Sequence, residues 1–124
     1  MSYRYSIYKR AESIGESTKG TTTLSNKLNF NFDIEVICEY IIKWNYELTN
    51  ATENKGVDCQ ILLNDNEIAR NTDYVTATNM YASYSGHKAS SLNKGVNNVT
   101  IKFRTLSAGN NAKIKNTSVV IERL

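Results

Sequence analysis

The stretch LNFNFDIEVICEYIIKWNYEL, residues 28–48, decides the fold of this chain. Every even-numbered residue in it is apolar or aromatic, and all but two of the odd-numbered residues are polar or charged. Successive side chains of a β-strand point to opposite faces of the sheet, so a period of two predicts extended structure with one buried face. A helix would repeat its apolar residues at three and four positions instead.

The stretch is too long for a single strand in a domain of this size. A strand of that length would reach roughly 70 Å at about 3.3 Å per residue, whereas a compact chain of 124 residues is only about 35 Å across. We therefore expect a break between residues 33 and 37, where β-propensity is weakest. The result is two strands, residues 27–33 and 38–48, that pass around a sandwich and share one inward face.

Six further segments have the alternation or the bounding turns of short strands. They are residues 2–9, 57–63, 67–70, 81–92, 96–106 and 112–124. Asn64, Asp65 and Asn66 predict a tight turn because these residues tolerate positive φ. Gly86 predicts a bulge or bend within a polar edge strand.

The segments together predict the fold class. About eight strands, no proline and no convincing helix indicate an all-β protein, an antiparallel β-sandwich of the jelly-roll type. We expect a single domain over residues 1–124, in which residues 1–9 form an amino-terminal strand or arm. Residues 10–23 are polar, contain two glycines and predict a surface loop.

The order of strands and turns over residues 40–124 resembles small jelly-roll domains of bacteriophage virion proteins. In such domains a leucine, a glycine turn and an alternating strand precede the last strand, and the corresponding positions here are Leu92, Gly95 and residues 99–103. The resemblance implies a structural role in a phage head or tail. It implies location in the virion after synthesis in the host cytoplasm.

Charge and hydropathy exclude several kinds of partner. The net charge of +3 comes from scattered Lys and Arg residues, and no basic run of the kind that grips phosphate is present. We therefore expect no nucleic-acid partner. No segment approaches the roughly 18 consecutive apolar residues of a membrane span, so we expect no membrane partner.

Enzymatic chemistry is not expected, since the residues for a catalytic centre are missing. His87 is the one histidine of the chain, and a triad or a zinc site needs more than a single imidazole. Cys38 and Cys59 lie at apolar positions and are interpreted as small buried hydrophobes, with a disulfide between neighbouring strands as the alternative. We expect neither a bound metal nor a cofactor.

Three tyrosines are candidates for ligand binding. Tyr74, Tyr81 and Tyr84 lie in a polar segment rich in Ser and Asn, a composition that suits adaptable recognition surfaces. The alternative is that these tyrosines only pack a loop and a sheet edge. Trp44 lies at an apolar position of its strand and is interpreted as a core anchor.

Two isoleucines interrupt the polar face of residues 28–48. Ile37 and Ile41 are expected to form a small apolar patch rimmed by charged residues, where a partner subunit could bind. The alternative is that a loop or the first strand covers them. Tyr3 and Tyr5, in the first strand, are further interface candidates.

Two functions follow from these observations. The first is a non-enzymatic structural component of a phage virion, an auxiliary capsid or head-fibre protein, that assembles with other virion proteins and with copies of itself. The second is a carbohydrate-binding jelly-roll module that recognises a surface glycan through the three tyrosines.

Overall fold

A computed structural model describes residues 7–124, with side chains from residue 9 onward. This part of the chain contains nine β-strands and no helix. The strands are β1 (Ile7–Ser13), β2 (Ser17–Lys19), β3 (Ser25–Ile34), β4 (Cys38–Asn50), β5 (Gly56–Leu63), β6 (Asn66–Tyr74), β7 (Ala82–Leu92), β8 (Gly95–Thr105) and β9 (Ala112–Arg123).

The strands form two antiparallel sheets. Sheet 1 has the order β1-β9-β4-β7, with β2 also paired to β9, and sheet 2 has the order β3-β8-β5-β6. Apart from β2, the strands pair from the two ends of the chain inward: β1 with β9, β3 with β8, β4 with β7, and β5 with β6 in a hairpin. Such an antiparallel ribbon, wound into two facing sheets, is a jelly roll, and the predicted fold class is confirmed.

The opening stretch divides between the two sheets. Residues 28–34 lie in β3 of sheet 2, residues 38–48 lie in β4 of sheet 1, and residues 35–37 connect them. This confirms the predicted break. The core lies between the sheets and contains even-numbered residues of the stretch together with their partners: Phe32, Ile34, Tyr40, Ile42, Trp44, Tyr46, Leu48, Val57, Cys59, Ile61, Val99, Ile101, Phe103, Ile114, Val119 and Ile121.

The tight turn between β5 and β6 is also confirmed. Asn64 and Asp65 have φ angles of 49° and 66°, in the left-handed region. A two-residue hairpin loop with positive φ at both positions matches the twist of the strands that it joins, and Asn and Asp adopt this conformation at low cost.

The prediction of a surface loop over residues 10–23 is wrong in part. β1 continues to Ser13, and residues 17–19 form β2, so both segments pair with β9. Exposure alternates along residues 9–13, but small and polar residues occupy the half-buried positions and hide the pattern in the sequence. Lys27 holds the connection between β1 and β2 by donating hydrogen bonds to the Gly15 carbonyl and to Ser17 Oγ.

The two ends of the sandwich differ. One end, here called the 35–37 end, has the short links 35–37, 64–65 and 93–94 between strands. The opposite loop end has longer connections and a buried polar network around Asn50. The Asn50 side-chain amide donates to Asn110 Oδ1 (3.0 Å) and Thr105 Oγ1 (3.2 Å), and its oxygen accepts from the Thr52 amide (2.9 Å).

Candidate binding groove

An open groove follows one side of the sandwich, between β6 of sheet 2 and β7 of sheet 1. Each of these strands is the last in its sheet, so none of the strands within residues 7–124 closes this side. The prediction that residues 81–92 form an edge strand is therefore confirmed. Most residues of both strands are exposed or half-buried. We call the space between them the edge groove.

The structure brings the three predicted tyrosines together at the loop end of the edge groove. Tyr74, Tyr81 and Tyr84 line one cavity of ≈ 240 Å³, here called the tyrosine cavity. Tyr74 is 64% exposed. The ring of Tyr81 lies under the Lys115 ammonium, 4.1 Å from its centroid, and its hydroxyl donates to Glu16.

Tyr84 connects the two sheets across the edge groove. Its hydroxyl, on β7, donates a hydrogen bond to Asp73 Oδ2 on β6. Its ring stacks on Tyr46, with 5.4 Å between the centroids and 27° between the ring planes. Tyr84 therefore links the two walls of the groove and forms part of the tyrosine cavity at the same time.

A second cavity of ≈ 190 Å³ continues the groove beyond Tyr84. This tryptophan cavity is lined by residues of β4, β5, β6 and β7: Trp44, Tyr46, Ile61, Ala69, Arg70, Asn71, Tyr84, Ser85 and Gly86. Trp44 is buried, which confirms its interpretation as a core anchor. A third cavity lies farther along, towards Leu92 at the 35–37 end.

Gly86 has a different role from the predicted one. The β4–β7 register runs without a shift from Cys38 and Leu92 to Leu48 and Ala82, so the prediction of a bulge is wrong. Gly86 lies opposite Trp44, and a Cβ atom at this position would lie 2.7 Å from the indole ring. The glycine is required because the indole occupies the space of a side chain.

Replacement of Gly86 by alanine is expected to destabilise the fold. The added methyl group must displace the Trp44 indole from a packed position, which costs about 1–3 kcal/mol. Urea denaturation measures the loss, and tryptophan fluorescence reports the shift of the ring. Gly15→Ala is the matched control, because a Cβ atom there meets nothing within 4 Å. Equal stability of the two variants would contradict this account of Gly86.

One polar atom in the tryptophan cavity makes no hydrogen bond of normal geometry. Asn71 Nδ2 is buried without an acceptor at normal distance and angle within the described residues, although the Asn71 side chain also interacts with the Tyr46 and Tyr84 hydroxyls and opposes the rise in their pKa values. A buried amide donor without an acceptor costs about 1–3 kcal/mol, so such groups are rare in folded proteins. Sequence reasoning missed Asn71, which sits in a segment without a clear pattern.

The charged residues that line the two cavities are already paired. Arg70 bonds to Asp58 (3.0 Å) and to Glu67 (2.7 Å). Asp73 accepts hydrogen bonds from its neighbour's amide (Tyr74 N, 2.8 Å) and from the Tyr84 hydroxyl. The charge of Arg70 is therefore balanced by two carboxylates, whereas the Asp73 carboxylate is hydrogen-bonded by neutral donors and keeps its negative charge.

Burial keeps several groups of this region in their neutral form. It raises the pKa of Tyr84 to about 12, together with the hydrogen bond to Asp73 and the charge of Asp73. Burial also raises the pKa of Tyr46 and of Tyr81, and it raises the pKa of the Cys59 thiol to about 12. The buried Cys59 thiol is therefore unsuited to nucleophilic chemistry at neutral pH.

Stability is expected to fall at alkaline pH. A group whose pKa is raised by folding contributes stability below its unfolded pKa, near 10 for tyrosine, and loses it as pH rises through the folded value. The free energy of unfolding should therefore decline between pH of about 10 and about 12. Urea denaturation across this range, with Tyr84→Phe against Tyr74→Phe, measures the effect. A decline as steep in Tyr84→Phe as in the parent protein would exclude Tyr84 as a contributor.

The structure places two of the four interface candidates. Ile37 lies in the link between β3 and β4 and is 67% exposed, whereas Ile41 is half-buried on the outer face of sheet 1, paired with Ala89. Because β4 begins only at Cys38, Ile37 does not follow its alternation, and a common patch of the two isoleucines stays a prediction. Tyr3 and Tyr5 lie outside the described residues.

A larger set of exposed hydrophobic residues lies at the 35–37 end. Four of the seven exposed large hydrophobic side chains of the described part are there, with exposures between 47% and 72%. They are Val36, Ile37, Val96 and Leu124. Val96 pairs with the end of β3, and the Leu124 amide donates to the Glu39 carbonyl (3.0 Å), which places both residues near the link.

The described part of the chain contains an ion-pair cluster in which Asp58 binds Arg70 and Arg104. Within residues 7–124 there is no group of three His, Cys, Asp or Glu side chains that could hold a metal ion. Cys38 and Cys59 are free and lie in different sheets, so the alternative of a disulfide is wrong. The described residues include no helix long and apolar enough to cross a membrane.

Comparison with known proteins finds similarity in structure only. No protein-family model matches the sequence, and no curated protein matches it. The VP2 subviral particle of infectious bursal disease virus aligns with 97% of this chain and 33% of its own, at a TM-score of 0.65 and 12% identity. The insecticidal delta-endotoxin Cry8Ea1 of Bacillus thuringiensis aligns with 88% of this chain and 19% of its own, at a TM-score of 0.55 and 10% identity.

A sugar-binding protein has the same fold. The C-terminal domain of EclA aligns with 96% of this chain and 81% of its own, at a TM-score of 0.54 and 12% identity. This chain therefore spans about a fifth of the endotoxin and a third of the capsid protein, but most of the EclA domain. At such identities the similarity establishes a jelly-roll-like β-sandwich. It is a fold that hosts many functions.

Proposed function

We propose that this protein is a non-enzymatic structural component of a phage virion, an auxiliary capsid or head-fibre protein. It acts by assembling with other virion proteins and with copies of itself. The observation that carries the proposal is the group of four exposed hydrophobic residues at the 35–37 end. Exposed apolar residues grouped in this way mark sites of protein contact.

The surroundings of this group support an assembly role. The links at this end are short: Val36 and Ile37 lie in the link 35–37, Val96 lies within β8 and Leu124 directly follows β9, so none of the four lies on a long loop. A rigid surface loses little conformational entropy on binding. The shared fold with a virus particle protein agrees with such a role. Repetition by symmetry makes weak individual contacts sufficient.

Particle binding tests the proposal. The purified protein is mixed with particles of its phage that lack it, and the fraction that sediments with them is measured. We expect binding by the parent protein and at least a tenfold loss of affinity, about 1.4 kcal/mol, for the double variant Ile37→Ser, Val96→Ser. Ile14→Ser is the control, since Ile14 is equally exposed (66%) but lies in the link between β1 and β2.

Two results would contradict the virion proposal. One is the absence of the protein from purified particles by mass spectrometry. The other is a purified protein that stays monomeric by light scattering and does not sediment with particles.

A second function is favoured by a specific observation, namely the tyrosine cavity. Three tyrosines that the sequence places in one polar segment converge on one concave site, which is the form that carbohydrate-binding sites take in proteins. We infer carbohydrate binding as the alternative function, either alone or in addition to assembly. Binding of the fluorescent protein to a glycan array, and its loss in Tyr74→Ala and Tyr81→Ala, is the expected result. An array without signal would exclude it.

A further inference from the structure

We propose that the edge groove binds a linear, uncharged oligosaccharide that fills the tyrosine cavity and the tryptophan cavity together. This inference rests on the second proposed function and specifies its ligand. It extends the site from the three tyrosines to Trp44, Asn71 and Gly86. Five observations support it.

The first observation is size. The two cavities measure ≈ 240 and ≈ 190 Å³. Each is smaller than the roughly 300 Å³ at which small-molecule sites begin, whereas the two together exceed it. They share Tyr84 as a wall. A ligand that fills both must therefore be elongated and must pass Tyr84.

The second observation is the aromatic surface. The Trp44 indole faces the glycine of β7, and beside it the rings of Tyr46 and Tyr84 are stacked. Trp44 and Tyr46 are buried at the base of the cavity (8% and 3% exposed), so the accessible aromatic surface of the groove comes from Tyr74, Tyr81 and Tyr84. Sugar rings present C–H groups that pack on aromatic faces, while their hydroxyls remain free for hydrogen bonds.

The third observation is a buried amide donor. Asn71 Nδ2 lies in the wall of the tryptophan cavity, makes no hydrogen bond of normal geometry and has the hydroxyls of Tyr46 and Tyr84 as its polar neighbours. A sugar hydroxyl or ring oxygen would accept its hydrogen bond and remove the cost of an unsatisfied buried amide. The donor therefore indicates a ligand with oxygen acceptors rather than a purely apolar one.

The fourth observation is charge. Arg70 and Asp73 are the charged residues that line the two cavities, and each is paired with protein groups. An anionic ligand would be repelled by the Asp73 carboxylate and would have to compete with Asp58 and Glu67 for Arg70. An uncharged ligand avoids this cost.

The fifth observation is rigidity. The bond from Tyr84 to Asp73 joins the two sheets across the groove, and Tyr84 also stacks on the buried Tyr46. The two walls are therefore already linked to each other before a ligand binds. Such preorganisation reduces the entropy that binding must overcome.

Calorimetric titration with oligosaccharides of increasing length tests the inference. The probes are β-1,4-linked glucose, β-1,4-linked N-acetylglucosamine and α-1,4-linked glucose, each from one to about six units. The longest probes match the length of β6, which is roughly 30 Å at about 3.3 Å per residue. We expect at least one series to bind, with an affinity that rises at least tenfold from one unit to three. Anionic oligosaccharides of the same length should bind more weakly.

The variants locate the ligand. Asn71→Ala should lower the affinity for the trimer about tenfold and leave that for the single sugar unchanged. Asn71→Ser, which keeps a donor, should recover part of the loss. Asn26→Ala, at an exposed position of β3, is the matched control. Circular dichroism confirms that each variant is folded.

The possible failures are distinguishable. If single sugars bind as well as trimers, and Tyr74→Ala abolishes binding while Asn71→Ala does not, the extended site is wrong and carbohydrate binding stands. If anionic oligosaccharides bind better, the assignment of an uncharged ligand is wrong. If no sugar binds the parent protein, both the inference and the second function are overturned.

Discussion

Replacement of Ile42 by alanine is expected to lower the free energy of unfolding by about 4 kcal/mol. Ile42 is completely buried at the centre of β4, in register with the equally buried Ile121 of β9. β4 is paired with β7 on one side and with β9 on the other along most of its length. The surrounding strands therefore have little freedom to move into the cavity that the shortened side chain leaves. The variant therefore loses the transfer free energy of the side chain and retains most of the cavity.

Ile41→Ala is the control for this change. The same residue type is replaced one position away, but Ile41 points to the outer face of sheet 1 and is half-buried. We expect a loss of about 1 kcal/mol or less. Urea denaturation of both variants gives the comparison. Similar losses at the two positions would mean that the alternation of β4 does not separate core from surface.

Replacement of Asn50 by alanine is expected to cost about 3 kcal/mol through a different mechanism. Asn50 is completely buried at the end of β4, and its amide bonds to the side chains of Thr105 and Asn110. The variant leaves buried polar atoms of these residues with fewer partners, and each such atom costs about 1–3 kcal/mol when it is unsatisfied. It also removes the acceptor for the Thr52 amide, which fixes the start of the loop after β4.

Asn110→Ala and the double variant show whether the atoms act as a network. Within a shared hydrogen-bond network the two losses should not be additive. The loss of unfolding free energy in the double variant should be smaller than the sum of the two single losses by at least about 0.5 kcal/mol. Asn26→Ala, at an exposed site, should change stability by about 0.5 kcal/mol or less. Additive losses would show that Asn50 and Asn110 contribute independently.

The strands could be predicted from the sequence where successive side chains point alternately to solvent and to the core. β4 and β8 satisfy this condition, and the β5–β6 turn is marked by asparagine and aspartate at positive φ. β2 could not be predicted, since three residues give no period and its pairing with β9 depends on a partner about 95 positions away. Gly86 was assigned the wrong role because sequence alone does not show that Trp44 lies opposite.

The candidate groove was predictable only in its tyrosines. Their residue type and polar neighbours indicate recognition, but their convergence depends on which strands end each sheet. Because β6 and β7 are the edge strands of the two sheets on the same side of the sandwich, Tyr74 and Tyr84 line the same groove although they lie on separate strands. Asn71 has no sequence signal of its own; only the structure shows that its amide is buried in the wall of the groove beside Tyr46 and Tyr84.

The positions of β8 and β9 have a consequence for synthesis. β9 lies between β1 and β4, and β8 lies between β3 and β5, so the last quarter of the described chain supplies an inner strand of each sheet. While residues 95–123 are still on the ribosome, β1 and β3 have no strand to pair with. Their apolar faces must then stay exposed to water or be bound by a chaperone. Folding of this jelly roll is therefore expected to follow, rather than accompany, translation of most of the domain.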